Sequence, residues 1–332
     1  MKNNKILILG ASGQIGKELS IKLKDKVNLY CHVRSEIAAT YFKENNINYI
    51  SGDLKEEKIM NQISMSDVIF DLAAPTTGTL SQTKKFYKDR LELVIKNMNK
   101  GTKFIFASSI NAFGISEYRK LFKNYVIPSS IYCANKRYAE KISQELGKKN
   151  LIDIYLLRLS EVHGKYQRSS DNLKKLISQK YVFEVSDSPA WVVSINTIEE
   201  ALIKIIEDKE KPGLYTLTND HIYWNDLLKF FAKEINYDVK IKIKKNIKPS
   251  LLNYLKKLIK RLIISRKDLI RGNITFKRDY EEIKKLNFRI NSTKQLNDNL
   301  DGIKYYKDLN KFFGTLPGKR LTNLTEKNGF YY

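Results

Sequence analysis

The chain has 332 residues, of which 42% are hydrophobic, so it can bury the core of one large domain or two moderate domains. Its net charge of +24 is typical of a protein with an anionic partner, such as nucleic acid, an anionic membrane face or a phosphorylated substrate. A bias in the base composition of the source genome is the alternative explanation for this charge. Two cysteines and three histidines, without ligand spacing, argue against a disulfide framework and a structural metal site.

The chain starts with a short charged lead and the brief apolar run KILILG (5–10), which ends at a glycine. This pattern predicts a buried strand and not a signal peptide. No stretch approaches the roughly 18 consecutive apolar residues that a membrane-spanning helix needs. The two cysteines, Cys31 and Cys133, fit a reducing compartment, so we expect a cytoplasmic protein.

The first half of the chain alternates β-rich runs with stretches of helical periodicity. After KILILG, the candidate strands are VNLYCHV (27–33), INYISGD (47–53), DVIFDLAA (67–74), TKFIFASS (102–109) and IDIYLLRLS (152–160). Two of the helical stretches between them are QIGKELSIKLKD (14–25) and SEIAATYFKEN (35–45). This alternation predicts an α/β fold with a doubly wound parallel sheet.

The rhythm becomes less regular after residue 163, which suggests a division of the chain. We expect a dinucleotide-binding domain over 1–163, with a return segment near 190–210 that reads as strand and helix. Residues 164–332 are then mainly a smaller substrate-binding portion, interleaved with the first domain.

Three glycines, Gly10, Gly13 and Gly16, follow the first predicted strand at three-residue intervals and open the first predicted helix. Glycines so placed allow a tight turn and a close approach of the backbone to a pyrophosphate at the helix N-terminus. The turn predicts a Rossmann site for NAD or NADP. It also contains Ser12, Gln14 and Ile15.

The end of the second predicted strand bears on the choice of cofactor. Arg34 stands where a carboxylate would bind the ribose hydroxyl of NAD. A guanidinium there can bind a 2′-phosphate, so the sequence favours NADP, unless Arg34 is a solvated surface residue.

A second feature is the segment YCANK, in which Tyr132 precedes Lys136 by four residues. On a helix this spacing places both side chains on one face, where an ammonium can help a phenol lose its proton. The same step recurs at Tyr280 and Lys284, in a charged segment without a neighbouring serine motif, and there it indicates a solvated helix face.

Together these motifs resemble the extended short-chain dehydrogenase/reductase family, in its sugar-nucleotide epimerase and dehydratase branch. Besides the glycine turn, the resemblance rests on SGDL, VIFDLAA, FASSINAFG and YCANK. It implies cofactor contacts from the residues of the first two motifs, namely Asp53, Leu54, Leu72, Ala73 and Ala74. It implies catalytic roles for Ser109, Tyr132 and Lys136.

The resemblance also implies the chemistry. Tyr132 would exchange a proton with a substrate oxygen that Ser109 hydrogen-bonds, and Lys136 would also hold the nicotinamide ribose. Ile110 and Asn111 replace the acidic pair of dehydratases, which disfavours dehydration. The remaining reactions are 4-epimerisation and reduction of a 4-keto sugar, and family members often form homodimers through the helix that bears the tyrosine.

Three further residues are candidates for substrate binding: Glu161, Asn172 and Arg271. Glu161 stands where the family usually has an asparagine near the nucleotide sugar, and an unpaired carboxylate there would repel a diphosphate. Its alternative is a local ion pair with a lysine or arginine. Arg271 could bind the diphosphate or lie on the surface.

Residues 239–272 contain twelve Lys or Arg against Asp268 alone, which gives +11 of the net charge. Near 250–264, apolar residues recur at helical spacing with cations on the other arc. This helix either docks on the core of the substrate domain or lies on an anionic membrane, which would imply a lipid-linked sugar and a place at the inner membrane face.

A separate hypothesis is a non-catalytic redox sensor or nucleic-acid-binding member of the fold. Because Ser109, Tyr132 and Lys136 are all present and no aromatic-basic binding module is visible, we expect an enzyme that does not bind nucleic acid. The identity of the sugar and its nucleotide is not encoded in these motifs.

Overall fold

A computed structural model describes residues 4–75, 79–113, 131–164, 167–178, 182–186, 190, 192–218 and 223–244. Arg271, the basic segment near 250–264 and the pair Tyr280 and Lys284 lie outside the described residues.

The strands follow the alternation that the sequence predicts, and all six strands expected in the first half are confirmed. In chain order they are β1 (Lys5–Leu9), β2 (Asn28–Val33), β3 (Tyr49–Ser51), β4 (Val68–Asp71), β5 (Lys103–Ser109), β6 (Asp153–Leu159), β7 (Glu161–His163), β8 (Val182–Ser186), β9 (Val192–Ser194), β10 (Gly213–Leu217) and β11 (Lys240–Lys244).

The helices alternate with these strands. They are α1 (Gln14–Leu23), α2 (Glu36–Glu44), α3 (Glu57–Ser64), α4 (Leu80–Lys96), α5 (Ile131–Asn150), α6 (Arg168–Ser178), α7 (Ile195–Ile206) and α8 (Trp224–Glu234), with a 3₁₀ turn at Ile110–Phe113.

Seven strands form one parallel sheet in the order β10-β6-β5-β4-β1-β2-β3. The chain leaves β1 toward β2 and β3, then returns to β4 and continues in the opposite direction. The carboxyl ends of β1 and β4 therefore flank a topological switch point, where sheets of this kind bind ligands. The predicted doubly wound fold is confirmed.

Helices cover both faces of the sheet, which explains why its strands are apolar almost throughout. On one face, α1, α2 and α7 contribute buried residues such as Leu19, Phe42 and Ile198. On the other face, α3, α4 and α5 contribute residues such as Ile63 and Leu91. Burial on both faces leaves the carboxyl edge of the sheet as the place for a site.

Beyond β6 the chain adds a smaller body. Helices α6 and α8 bury Ile177, Leu227 and Phe231 against Val192 of β9. Strand β8 pairs in parallel with β11, and β7 pairs in parallel with β9. Strand β10 joins the main sheet beside β6. None of the helices in the described ranges is long and apolar enough to cross a membrane.

Candidate active site

A cavity of about 830 Å³ opens at the switch point between β1 and β4. This volume suits a nucleotide-sized ligand, since small-molecule sites commonly enclose roughly 300–1,000 Å³. Its described lining combines the glycine turn, the ends of β2 and β4, and side chains of α4 and α5. These residues are Gly10, Ser12, Gly13, His32, Val33, Arg34, Leu72, Ala73, Ala74, Pro75, Phe86, Arg90 and Tyr132.

The glycine turn brings the backbone close to the segment after β4. Gly10 has φ +74°, and a Cβ atom there would lie 2.8 Å from the amide nitrogen of Ala73. At Gly16, a Cβ atom would lie 2.6 Å from Cα of Ala11, so helix α1 could not pack as closely against the turn. These two glycines are therefore required by space, and Gly10 also by conformation.

The N-terminus of α1 is open toward the cavity. Gly13 is the N-cap residue in an extended conformation, and its lack of a side chain leaves the first-turn N–H groups without a side-chain cap. No acidic residue stands in this first turn. First-turn N–H groups without a side-chain cap, together with the positive end of the helix dipole, are suited to a phosphate.

A buried ion pair forms another wall of the cavity. Arg90 of α4 donates from Nε and Nη2 to the two carboxylate oxygens of Asp71 at the end of β4, over 3.1 and 2.8 Å. Asp71 is fully buried, and it also accepts a hydrogen bond from the amide of Ala73 at 3.0 Å. The pair thus fixes the backbone segment that lines the cavity after β4.

Two more basic side chains lie at the end of β2. His32 is buried, its Nε2 lies 2.9 Å from the carbonyl oxygen of Gly52, and burial lowers its pKa. Arg34 is exposed and reaches the lining of the cavity. The positive end of α1 and the Arg34 guanidinium thus form a cradle that suits an anionic dinucleotide. His32 is neutral at neutral pH because its pKa is lowered, and the charge of Arg90 is balanced by Asp71.

Tyr132 and Lys136 start helix α5, as the sequence predicts. Tyr132 is 45% exposed and lines the cavity. Lys136 is 3% exposed, and its Nζ lies 5.8 Å from the centre of the Tyr132 ring and 2.6 Å from the carbonyl oxygen of Ala107. Burial lowers the pKa of Lys136 to about 8. The ammonium therefore lies below the phenol, inside the wall of the cavity.

Ser109 is the last residue of β5 and is buried. Its neighbour Ser108 donates to Glu140 of α5, which also accepts two hydrogen bonds from Arg158 of β6, at 2.7 and 2.5 Å. Burial alone would raise the pKa of Glu140, but the Arg158 guanidinium holds it below its usual value. This network fixes α5 on the sheet, one helical turn after Lys136.

Several residues predicted to contact the cofactor lie outside the described lining of this cavity. Gln14 instead accepts hydrogen bonds from Gln167 and Arg168 at the start of α6. Ile15 and Leu54 pack against the core. Asp53 is exposed, and its carboxylate accepts a hydrogen bond from the amide of Lys55.

The described substrate candidates also lie away from the described lining. Asn172 is exposed on α6. Glu161 is half-exposed at the start of β7, and burial raises its pKa. Its carboxylate lies 3.8 Å from Nε2 of His163. Burial lowers the pKa of His163 to about 4, so at neutral pH this contact is not an ion pair and differs from the expected pairing with a lysine or arginine.

The sequence reasoning missed His32, Phe86 and Arg90. For Arg90 a signal existed: it follows Tyr87 by three residues and precedes Val94 by four, so it lies on the apolar face of α4. A cation on such a face needs a buried anion, and Asp71 inside an apolar strand was the available partner.

The chain belongs to the NAD-dependent epimerase/dehydratase family, whose model matches residues 6–181. This confirms the predicted resemblance. No sequence among the curated proteins matches the chain at a significant level.

Solved structures share the fold at low sequence identity. The UDP-N-acetylglucosamine 4-epimerase of Methanobrevibacter ruminantium is 19% identical, with a TM-score of 0.58 over 74% of this chain and 87% of the other. For the UDP-glucuronic acid 4-epimerase of Bacillus cereus, solved with NAD, the values are 19%, 0.56, 73% and 87%. For vestitone reductase of alfalfa they are 16%, 0.55, 79% and 99%.

Proposed function

We propose that this protein transfers a hydride at a sugar carbon, C4, of a nucleotide-linked or lipid-diphosphate-linked sugar. The observation that carries this proposal is the position of Tyr132, which lines the same cavity as the glycine turn and lies over the Lys136 ammonium. A phenol in this position can exchange a proton next to a bound dinucleotide. The product would serve the synthesis of surface polysaccharide.

Each side chain has a part in this proposal. A bound nicotinamide supplies the hydride acceptor and donor. A free tyrosine has a pKa near 10, and the nearby ammonium favours the phenolate, so Tyr132 can exchange a proton with a sugar oxygen at neutral pH. Lys136 holds the nicotinamide ribose, and Ser109 hydrogen-bonds the same sugar oxygen. These are the roles that family membership suggests for the residues at these positions.

The reaction is 4-epimerisation or reduction of a 4-keto sugar. Ile110 and Asn111 follow Ser109 where dehydratases carry acidic residues, which argues against elimination of water. Epimerisation requires a cofactor that stays bound, whereas reduction requires one that exchanges. Arg34 at the cavity supports NADP and, through it, reduction.

The proposal includes a homodimer and a contact with the membrane. Membership of this family supports a homodimer through α5, because its members often pair through the helix that bears the tyrosine. Light scattering that gives a monomer would contradict the dimer.

The basic segment of 239–272 supports contact with an anionic leaflet at the cytoplasmic membrane face. Protein that fails to float with anionic liposomes at low salt would exclude this contact.

The function is tested first by the cofactor and then by the reaction. Mass spectrometry of the purified protein identifies a retained dinucleotide: retained NAD indicates an epimerase, and an empty site that responds to NADPH indicates a reductase. Purified protein is then incubated with UDP-sugars, and with 4-keto sugars plus NADPH, and the products are analysed by NMR.

The variant Tyr132→Phe should abolish turnover and leave dinucleotide affinity nearly intact, because only the proton carrier is removed. The control is Tyr223→Phe, which changes a tyrosine of similar exposure (42%) at the start of α8. Turnover that survives in Tyr132→Phe would refute the assigned role.

A further inference from the structure

The Lys136 ammonium is held in an unusual place for a charge. It is almost completely buried, and its hydrogen bond to the carbonyl oxygen of Ala107 uses one of its three donors. Burial favours the neutral amine, whereas the proposed function needs the ammonium. Some feature of the surroundings must therefore keep the charge stable.

Nearby charges provide part of this stability. Asp71 of β4 and Glu140 of α5 favour the ammonium, while Arg90 of α4 opposes it. Both carboxylates are already engaged, Asp71 by Arg90 and Glu140 by Arg158. Neither carboxylate is therefore committed to Lys136, and its ammonium relies on other contacts as well.

Aromatic rings surround the ammonium. Nζ of Lys136 lies 4.7 Å from the ring centre of Phe106 and 5.7 Å from that of Tyr87, in addition to its contact with Tyr132. The rings of Tyr87 and Phe106 meet edge to face, with centres 6.0 Å apart. Both side chains are buried, at 1% and 0% exposure. All three distances are within the range of a cation–π interaction, about 6 Å.

The Tyr87 hydroxyl shows which part of this residue matters. It is buried and has no hydrogen-bond partner among the described residues, which is an unfavourable position for a hydroxyl. The ring is therefore the part of Tyr87 with evident contacts, which are with Phe106, Lys136 and the neighbouring ring of Phe86.

We propose that Tyr87 and Phe106 are positioning residues, which form an aromatic cage that keeps Lys136 charged beneath Tyr132. This inference rests on the proposed function, in which Lys136 holds the nicotinamide ribose. Tyr132 closes the side of the cage toward the cavity, so the ammonium is stabilised from within the wall and acts on the phenol and the ribose from below.

The first test measures the dissociation constant of NADH and of NADPH between pH 6.5 and 10 by calorimetry. Affinity should fall as the pH rises through the pKa of Lys136, since its ammonium is then lost. In Tyr87→Leu and Phe106→Leu this fall should move about one pH unit lower. Tyr87→Phe keeps the ring and should restore the wild-type position of the fall.

The matched control is Phe104→Leu, which removes a ring from the same strand and the same core cluster as Phe106. It reproduces the loss of packing without the loss of a ring at Lys136. If Tyr87→Leu and Phe106→Leu show the same pH dependence as Phe104→Leu, the cage is refuted.

A second readout uses the ligand-free protein. The folded state releases the Lys136 proton at lower pH than the unfolded state, so the stability should rise with pH between about 8 and 10.5. Loss of a cage ring should start this rise in stability at lower pH. The stability is measured as Tm against pH, and Lys136→Met serves as the reference because it lacks the titrating amine. An unchanged onset would refute the cage.

The two readouts separate the two proposals. Wild-type protein that binds neither NADH nor NADPH would refute the proposed function. The onset of the Tm rise would still decide whether the rings stabilise the ammonium.

Discussion

Asp71 and Arg90 form a two-point ion pair that joins the end of β4 to α4 at the wall of the cavity. The pair lies next to the glycine turn, because the residue after Asp71, Leu72, donates its amide hydrogen to the carbonyl oxygen of Leu9 at the end of β1. The Asp71 carboxylate also accepts a hydrogen bond from the Ala73 amide. One buried contact thus couples the stability of the sheet edge to the shape of the cofactor cradle.

The first prediction concerns this pair. Asp71→Asn should lower the free energy of unfolding by about 3–5 kcal/mol, because the guanidinium of Arg90 remains buried without its counter-charge. The double variant Asp71→Leu with Arg90→Met should be much more stable than Asp71→Asn, since no buried charge remains. Urea unfolding measures both values.

The control is Lys85→Ala on the same helix. Lys85 pairs with Asp89 at 2.6 Å, but both side chains are exposed, so the free energy of unfolding should stay almost unchanged. A double variant as unstable as Asp71→Asn would show that packing, and not charge, determines the loss.

The second prediction concerns the glycine turn. Gly10→Ala should abolish detectable dinucleotide binding and reduce stability, because its Cβ atom would press against the Ala73 amide. Gly101 provides the matched control. It has a similar φ, +78°, but nothing lies within 4 Å of an added Cβ atom. Gly101→Ala should thus show the backbone strain alone, about 1 kcal/mol, with binding intact.

Calorimetric titration with NADH and thermal unfolding measure these effects. If Gly10→Ala bound NADH as well as Gly101→Ala does, the close approach of the turn to the segment after β4 would have no part in the cradle.

The sheet and the first helices were predictable because their signals are local. Near-continuous apolar runs such as those of β1 and β5 are buried on both faces, and glycine spacing requires only neighbouring residues. The position of Tyr132 at the start of α5 followed for the same reason, since four residues separate it from Lys136 on one helix.

The rest of the site depends on contacts between distant parts of the chain. Asp71 and Arg90 are 19 residues apart, and their pairing depends on how α4 packs along β4. The burial of Lys136 depends on how deeply α5 sits, which the network of Glu140 and Arg158 sets from β6. A motif names these residues, but it does not give the depth at which they lie.

The third prediction concerns that network. Glu140→Gln should lower the free energy of unfolding by about 3–5 kcal/mol at neutral pH, because Arg158 keeps a buried charge without its partner. The pKa of Glu140 is lowered in the folded state. Its contribution is therefore present above the pKa of an unfolded glutamate, about 4.3, and is lost as the pH falls through the folded pKa.

Chemical unfolding at a series of pH values checks both parts. Glu145→Gln is the control: it changes an exposed glutamate of the same helix, whose carboxylate lies 3.8 Å from Lys141, and should leave the profile unchanged. If wild type and Glu140→Gln lost stability in parallel below pH 4, Glu140 would not contribute to acid unfolding.

The last prediction addresses cofactor preference. Arg34→Ala should weaken NADPH binding roughly 10- to 100-fold and NADH binding much less, because a charge-assisted contact to the 2′-phosphate is lost. Lys43→Ala removes the same charge from nearby α2, where Lys43 pairs with Glu36 at 3.1 Å and lies outside the described lining of the cavity. It should affect both cofactors alike and only slightly, which makes it the electrostatic control.

Calorimetry at two salt concentrations distinguishes a direct contact from the general field of a chain with net charge +24, because only the general field is strongly screened. Equal losses for NADPH and NADH in Arg34→Ala would place this guanidinium away from the 2′-phosphate and would remove the support for NADP and for the reductase reaction.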